Sequence, residues 1–236
     1  MNYFEQIYHI LINKYGPQFW WPVTSQNKVI PEYKKKDSLT EKQKTEIMFG
    51  AILTQNTSWK NTEKAIVNLN KNDLIDIDKI LEINVTELAN LIKSSGYFNQ
   101  KAKKLKNICL FLKENPVNEL ERLKITDLRK KLININGIGK ETADSIILYA
   151  FNKPIFVIDA YTKRLFSRSG LCRKDVSYDE LQELFHSNLE KNAELFNEYH
   201  ALIVEHCKEF CRKKPLCKEC FLKEICRYTK KYIEIV

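Results

Sequence analysis

The sequence predicts an all-α protein, and three observations carry that expectation. Glycine and proline are scarce, six of each in 236 residues, which disfavours turn-rich β structure. Hydrophobic residues make up 44% of the chain, enough for a sizeable core, and they recur mainly at helical spacing. The only extended stretch is Ile155-Phe156-Val157-Ile158, four residues bounded by Pro154 and Asp159.

Taken in order, Phe4, Ile7, Tyr8 and Leu11 mark a first helix of about four turns, stopped by Gly16-Pro17. A loop follows with Phe19-Trp20-Trp21-Pro22 and the basic run Lys34-Lys35-Lys36. Thr40-Glu41-Lys42-Gln43 is a capping box for the next helix, which runs into Gly50-Ala51-Ile52-Leu53. Further helical patterns fall at about 58–69, 73–82, 86–95, 99–113, 126–135, 141–151, 160–168, 177–190 and 194–209, with short polar or Gly/Pro breaks between them. Beyond them, residues 211–226 hold too few apolar side chains to form a core and need a metal to keep their shape.

Lys and Arg outnumber Asp and Glu by 39 to 30, a formal charge of +9 that suits a polyanion as well as it suits a merely soluble surface. No basic n-region precedes an apolar run at the N-terminus, and no apolar run reaches membrane-spanning length. A cytoplasmic, nucleoid-associated monomer without membrane contact is therefore expected. In such a reducing compartment, the clustered members of the seven cysteines read as metal ligands rather than disulfides.

Three local patterns carry chemistry. Asn136-Gly137-Ile138-Gly139-Lys140 joins two helical patterns through a turn that takes two of the six glycines. Such a turn can bring backbone N–H groups up to a phosphate, or can be an ordinary glycine-capped turn with Ile138 as its apolar anchor. Asp159 follows an apolar run at the start of a helix, where it is either a plain N-cap or a carboxylate held ionised for use. Cys211, Cys217, Cys220 and Cys226 form C-x5-C-x2-C-x5-C, which fits zinc or a [4Fe–4S] cluster by thiolate chemistry alone. Among them stand Arg212, Lys213, Lys214, Lys218, Lys223 and Arg227, either a ridge for DNA phosphates or a solvated charged face. Cys109 and Cys172 read as buried free thiols, and Cys207 is a spare candidate ligand.

Gly137-Ile138-Gly139-Lys140-Glu141-Thr142-Ala143 followed by Val157-Ile158-Asp159 resembles the helix-hairpin-helix DNA glycosylases of the endonuclease III type. Leu53-Thr54-Gln55-Asn56-Thr57, Gly96-Tyr97-Phe98-Asn99-Gln100-Lys101-Ala102 and the terminal cysteines extend the resemblance over roughly residues 40 to 230. It implies an enzyme that extrudes a damaged base from double-stranded DNA and breaks its bond to deoxyribose. It also implies Asp159 as the catalytic carboxylate, Gln55 as a filler of the gap left in the duplex, and Gly137, Ile138, Gly139, Lys140 and Thr142 as the DNA-gripping hairpin. The cluster implied is [4Fe–4S] rather than zinc, although the first cysteine gap is one residue shorter than usual in that family. Bifunctional members carry a lysine directly before Thr-Ala, where this chain has Glu141. Lys140 would point about 100° away around a helix, so water is the expected nucleophile and an abasic site the expected product.

Trp20-Trp21-Pro22, taken with the Gln55 and Glu141 segments, further resembles the 3-methyladenine glycosylases related to endonuclease III. That implies a pocket of tryptophan faces for a cationic alkylated purine, with Glu141 either touching the base or simply on the helix surface; on general grounds the tryptophans serve equally well as core. A bifunctional glycosylase and abasic-site lyase, or a non-catalytic iron–sulfur protein that binds damaged DNA, are the competing readings. The expected architecture is two helical lobes. One spans residues 40–150 and contains the hairpin. The other combines residues 1–39, namely the first helix and the aromatic loop, with helices over 151–210 and the cluster segment and tail over 211–236.

Overall fold

In the computed structural model, which describes residues 1–35 and 38–229, the chain is almost wholly helical. Lys36 of the basic run and residues 230–236 of the tail lie outside the described residues. Two units are resolved, Met1–Gln18 with the chain from Pro154 onward, and Phe19–Lys153. No helix among the described residues is long and apolar enough to cross a membrane.

In the first unit, α1 (Tyr3–Tyr15) opens on a reciprocal capping box between Asn2 and Glu5 and buries Phe4, Ile7 and Leu11. It packs on α12 (Ala193–Glu209) and α11 (Tyr178–Asn188). Aromatic rings make this core: Phe156 stacks on Phe185 at 3.7 Å between centroids, and Phe4, Phe166 and Tyr199 close around Phe185 at 4.5 to 5.7 Å. The buried Tyr199 hydroxyl donates to the Phe4 carbonyl (2.8 Å), so the ring is satisfied at its polar end. Residues 155–158 are buried and extended but join no sheet. Side chains of α11 serve their backbone instead: Phe156 N–H donates to His186 Nε2 (3.0 Å), Gln182 donates to the Phe156 carbonyl (2.7 Å), and Ile158 N–H reaches the Tyr178 hydroxyl (3.4 Å). α10 (Ala160–Ser169) starts there and lies against α12.

The second unit is built around α2 (Glu41–Leu53), capped by Thr40 and Gln43 as the sequence predicts and buried at every position from Thr45 to Leu53. Packed around it are α3 (Trp59–Lys71), α6 (Phe98–Glu114) and α7 (Val117–Arg122). α4 (Ile77–Glu82) and α5 (Val85–Leu91) lie on α6, and α8 (Ile125–Ile133) leads to α9 (Lys140–Ser145), which loosens into a π turn over Ile146–Ala150. Two lysines serve helix ends from inside. Lys101 is buried and donates to the carbonyls of Leu53 (2.9 Å) and Ser95 (2.6 Å), while Lys106 donates to those of Ile80, Leu81 and Ile83.

Several expectations shift. The pattern at 73–82 becomes helical only at Ile77, because Asp73 takes a positive φ of 51° and Asp76 caps the Lys79 N–H (3.0 Å). The pattern at 86–95 breaks after Leu91 into a tight turn over Lys93–Ser95. α7, started by Pro116, is too short to stand out by periodicity. The aromatic loop pairs Val23–Thr24 (β1) with Pro31–Glu32 (β2), a two-residue antiparallel hairpin in a chain where sheet was expected to be negligible. From Phe19 that loop falls in the α2 unit, whereas Met1–Gln18 group with the C-terminal helices. Val23 and Trp21 are buried there, and the buried Glu46 of α2 accepts from the Thr24 N–H (2.8 Å) and from Asn70 (3.1 Å).

Candidate functional site

The hairpin keeps the shape its glycines predict. Gly137 sits at φ +96°, and a Cβ there would fall 2.5 Å from Lys104 Cγ, so glycine is required twice over. A Cβ on Gly139 would meet no atom within 4 Å, which leaves the backbone there open to a close approach. Ile138 is buried as the internal anchor, with its N–H on the Ile135 carbonyl (3.0 Å). Behind the turn, Arg129 of α8 grips Asp144 of α9 through two hydrogen bonds (2.7 and 3.0 Å), and Asp144 has no exposed side-chain surface. That fork fixes the angle between the two hairpin helices.

Gln55 lies against this hairpin. Its amide nitrogen donates to the Gly137 carbonyl (3.1 Å) and to Thr142 Oγ1 (2.9 Å), and its amide oxygen accepts from Lys104 Nζ (2.5 Å). Sequence reasoning brought Gln55, Gly137 and Thr142 together but missed Lys104, one of several similar lysines on α6. Lys140 and Glu141 stand exposed on the first turn of α9, while Thr142 is buried.

In the same unit Trp20 and Trp21 meet a third tryptophan that sequence reasoning passed over. Trp59 lies 4.9 Å from Trp20 and 5.3 Å from Trp21, both edge-on, and donates its indole N–H to Glu63 (3.0 Å). Tyr149 and Tyr33 extend the cluster at 5.2 and 6.0 Å. Trp21 and Pro22 are buried, whereas Trp20 is half-buried. A Cβ on Gly50 would come within 2.9 Å of the Trp21 ring, so glycine makes room for that indole against α2. The signal for Trp59 was available: it is the third of only three tryptophans in the chain.

In the other unit Asp159 is the N-cap of α10. Its Oδ1 accepts from the Thr162 N–H (2.7 Å) and hydroxyl (2.8 Å), and its Oδ2 lies 3.6 Å from Nε2 of His200 on α12. Burial alone would raise the carboxyl's pKa, but the His200 contact and the two Thr162 bonds outweigh it, so Asp159 is held ionised below the usual range.

The four cysteines of the C-terminal segment line one cavity open to solvent, together with Leu165, Arg168 and His206. All four are buried. Arg168 secures the segment by donating to the carbonyls of Arg212 (2.6 Å) and Lys213 (3.0 Å) and to Cys211 Sγ (3.4 Å); Arg164 donates to the Cys211 carbonyl (2.7 Å). A hydrogen bond from Cys207, then Arg168 and Arg164, favour the Cys211 thiolate against its burial. The donor set fits a thiolate-held group: four cysteines line the one cavity, and the guanidinium groups of Arg164 and Arg168 lie beside Cys211 to balance charge. Among the described residues no three His, Cys, Asp or Glu side chains converge on a single-ion site. Cys207 does not line that cavity; its thiol reaches the Tyr161 carbonyl (3.5 Å) while keeping its hydrogen bond with Cys211. Cys109 is buried as expected and its thiol is pushed up to about 12 by burial. Cys172 is a correction, since just past the α10 terminus it is only half-buried. All six basic residues of the segment are exposed.

Residues 49–191 match the model of the HhH-GPD superfamily of base excision DNA repair proteins. A Methanocaldococcus jannaschii protein provisionally named as a DNA repair glycosylase is 49% identical over 233 residues, covering 95% of this chain and 97% of its own. Endonuclease III of Sulfolobus acidocaldarius is 29% identical over 77% of this chain and 80% of its own. Among solved structures, H. pylori 3-methyladenine DNA glycosylase bound to 1,N6-ethenoadenine superposes with a TM-score of 0.68 at 29% identity, covering 89% of this chain and 98% of that one. A non-covalent endonuclease III–DNA complex shares the fold, with a TM-score of 0.75 at 20% identity over 99% of this chain and 100% of that one.

Proposed function

The chain belongs to the HhH-GPD superfamily of base excision DNA repair proteins and is a DNA N-glycosylase; we propose that it removes an alkylated purine from double-stranded DNA by hydrolysis, as a monomer. The observation that carries this reading is Glu141, a carboxylate in the position before Thr142-Ala143 where bifunctional members hold their lysine. The nearby Lys101 and Lys104 are engaged, one with two backbone carbonyls and the other with Gln55.

Asp159 then performs the central step. As the bond from C1′ to the base breaks, the base leaves with the bonding electrons and positive charge spreads over the sugar. The ionised carboxylate stabilises that charge, and water adds its oxygen to C1′ and gives up a proton, leaving an abasic site. An alkylated purine that carries positive charge departs readily, so no covalent nucleophile is needed. The tryptophan cluster supports such a substrate because aromatic faces attract a cationic ring. Support also comes from the ethenoadenine held by the H. pylori relative. The open Gly139 backbone and exposed Lys140 suit phosphate contacts, and Gln55 would leave its hairpin contacts to fill the emptied position in the duplex.

Cys211, Cys217, Cys220 and Cys226 would hold a [4Fe–4S] cluster whose chemistry is that of a structural staple. The likeness to endonuclease III supports the cluster over zinc, since four thiolates by themselves accept either. The test is chromatographic detection of free base from defined duplexes carrying 7-methylguanine, 1,N6-ethenoadenine, uracil or 8-oxoguanine. Release of the first two in preference to the last two is expected. Preferred release of uracil or 8-oxoguanine overturns the substrate.

A further inference from the structure

We propose that His200 is a positioning residue for base excision, holding the second oxygen of Asp159 from α12 so that the carboxylate stays aimed. The inference rests on Asp159 being the catalytic carboxylate.

An N-cap needs one side-chain oxygen, and Asp159 Oδ1 fills that role completely with two bonds from Thr162. The cap therefore leaves Oδ2 unused. That oxygen faces His200 Nε2 at 3.6 Å, inside ion-pair range and beyond a direct hydrogen bond, so the contact can tighten when charge develops nearby. Both side chains are well shielded, 11% exposed for His200 and 13% for Asp159, so any interaction between them is less screened than at a surface. His200 is itself rigidly placed. It follows Tyr199, whose hydroxyl is bound to the Phe4 carbonyl, and its ring lies edge-on to Phe156.

The titratable groups packed around the pair have other partners. From α12, the buried Cys207 thiol is pushed well up by its hydrogen bond with Cys211 and by burial, and it points to the Tyr161 carbonyl. From α10, Arg164 is directed at the Cys211 carbonyl. From α11, His186 accepts the Phe156 N–H and Tyr178 the Ile158 N–H. From α1, Tyr8 lies against Tyr199, with its phenol raised first by burial. With His200 removed, burial of Asp159 would be opposed chiefly by Thr162, and its pKa would rise.

The test uses single-turnover excision of the lesion that the wild type removes fastest, followed across pH, together with duplex affinity and unfolding midpoint. His200→Phe should slow the step tenfold or more, leave duplex affinity unchanged, and move the acid limb of the profile up by about one pH unit. His200→Gln keeps an N–H donor without the imidazole, so it should recover part of the rate while the limb still moves. If His200→Phe does not fold, the limb of His200→Gln decides. An unmoved acid limb in the folded variants overturns the proposal, as does a rate drop that is uniform in pH. Asp159→Asn separates the two ideas. An inactive Asp159→Asn beside a fully active His200→Phe sinks only the role of His200, whereas an active Asp159→Asn sinks the reading of Asp159 and this inference with it. A readout independent of activity is the ring 15N signal of His200, one of four histidines, which should shift on Asp159→Asn; an unmoved signal overturns the contact.

Discussion

Asp144→Ala should uncouple the two hairpin helices, α8 and α9, from each other. Asp144 is fully buried and accepts both arms of the Arg129 fork, at 2.7 and 3.0 Å. Truncation removes both charge-assisted bonds and leaves the guanidinium, 22% exposed, largely cut off from water. Breaking one partner of a buried pair costs about 3–5 kcal/mol. At about 2–4 °C per kcal/mol for a chain of this size, the thermal midpoint should fall by roughly 6–20 °C. Urea unfolding followed by circular dichroism gives the free energy directly, and duplex binding should weaken in parallel as the hairpin helices reorient. The double replacement Arg129→Met with Asp144→Leu removes both charges at once and should restore most of the loss. A loss below about 1 kcal/mol for Asp144→Ala, or a double variant as unstable as the single one, would refute the argument that the fork sets the hairpin.

Three further outcomes are expected. Gly137→Ala forces a non-glycine residue to φ +96° and into the Lys104 side chain, a cost of about 1–3 kcal/mol, while Gly139→Ala meets empty space; the first should lower the unfolding midpoint, and the second should leave it alone yet weaken duplex binding about tenfold in fluorescence anisotropy, the worth of one charge-assisted bond. Burial, with Lys104 nearby, lowers Lys101 to about 8 from an ordinary 10.5, so the folded state gives up its proton before the unfolded chain does. Stability of the wild type relative to Lys101→Met should therefore rise with pH between about 8 and 10.5, read from urea midpoints, and a fall over that window contradicts the assignment. Cys217→Ser should abolish the visible iron–sulfur absorbance and expose residues 211–229 to protease, because that segment has little apolar support of its own.

Much of the fold was legible because its helices are amphipathic and capped in ways the chain spells out, as with Thr40 and Gln43 at α2 or Phe4, Ile7 and Leu11 on α1. What periodicity could not give was partnership. Residues 155–158 look like a strand because they are apolar and β-branched, yet their N–H and C=O groups are served by His186, Gln182 and Tyr178 from a helix about twenty residues or more away in the chain. Trp20 and Trp21 are conspicuous, but whether they side with the first helix or with α2 depends on Gly50, whose missing Cβ makes room for an indole. The hairpin, Asp159 and the cysteines stood out by motif. His200 and Lys104 did not, since a lone histidine on a buried helix face and one lysine among many carry no signature until the fold sets them against Asp159 and Gln55.

The central claim, hydrolysis by Asp159 without a lysine nucleophile, is tested most directly on a labelled duplex with one 1,N6-ethenoadenine or 7-methylguanine, cut by wild type and by Asp159→Asn, with strands resolved before and after alkali and with borohydride in a parallel reaction. Breaks that appear only after alkali, no borohydride-trapped complex, and loss of both base release and breaks in the variant are the expected result. Breaks before alkali with a trapped protein–DNA adduct would contradict it and place a lysine of this chain at C1′.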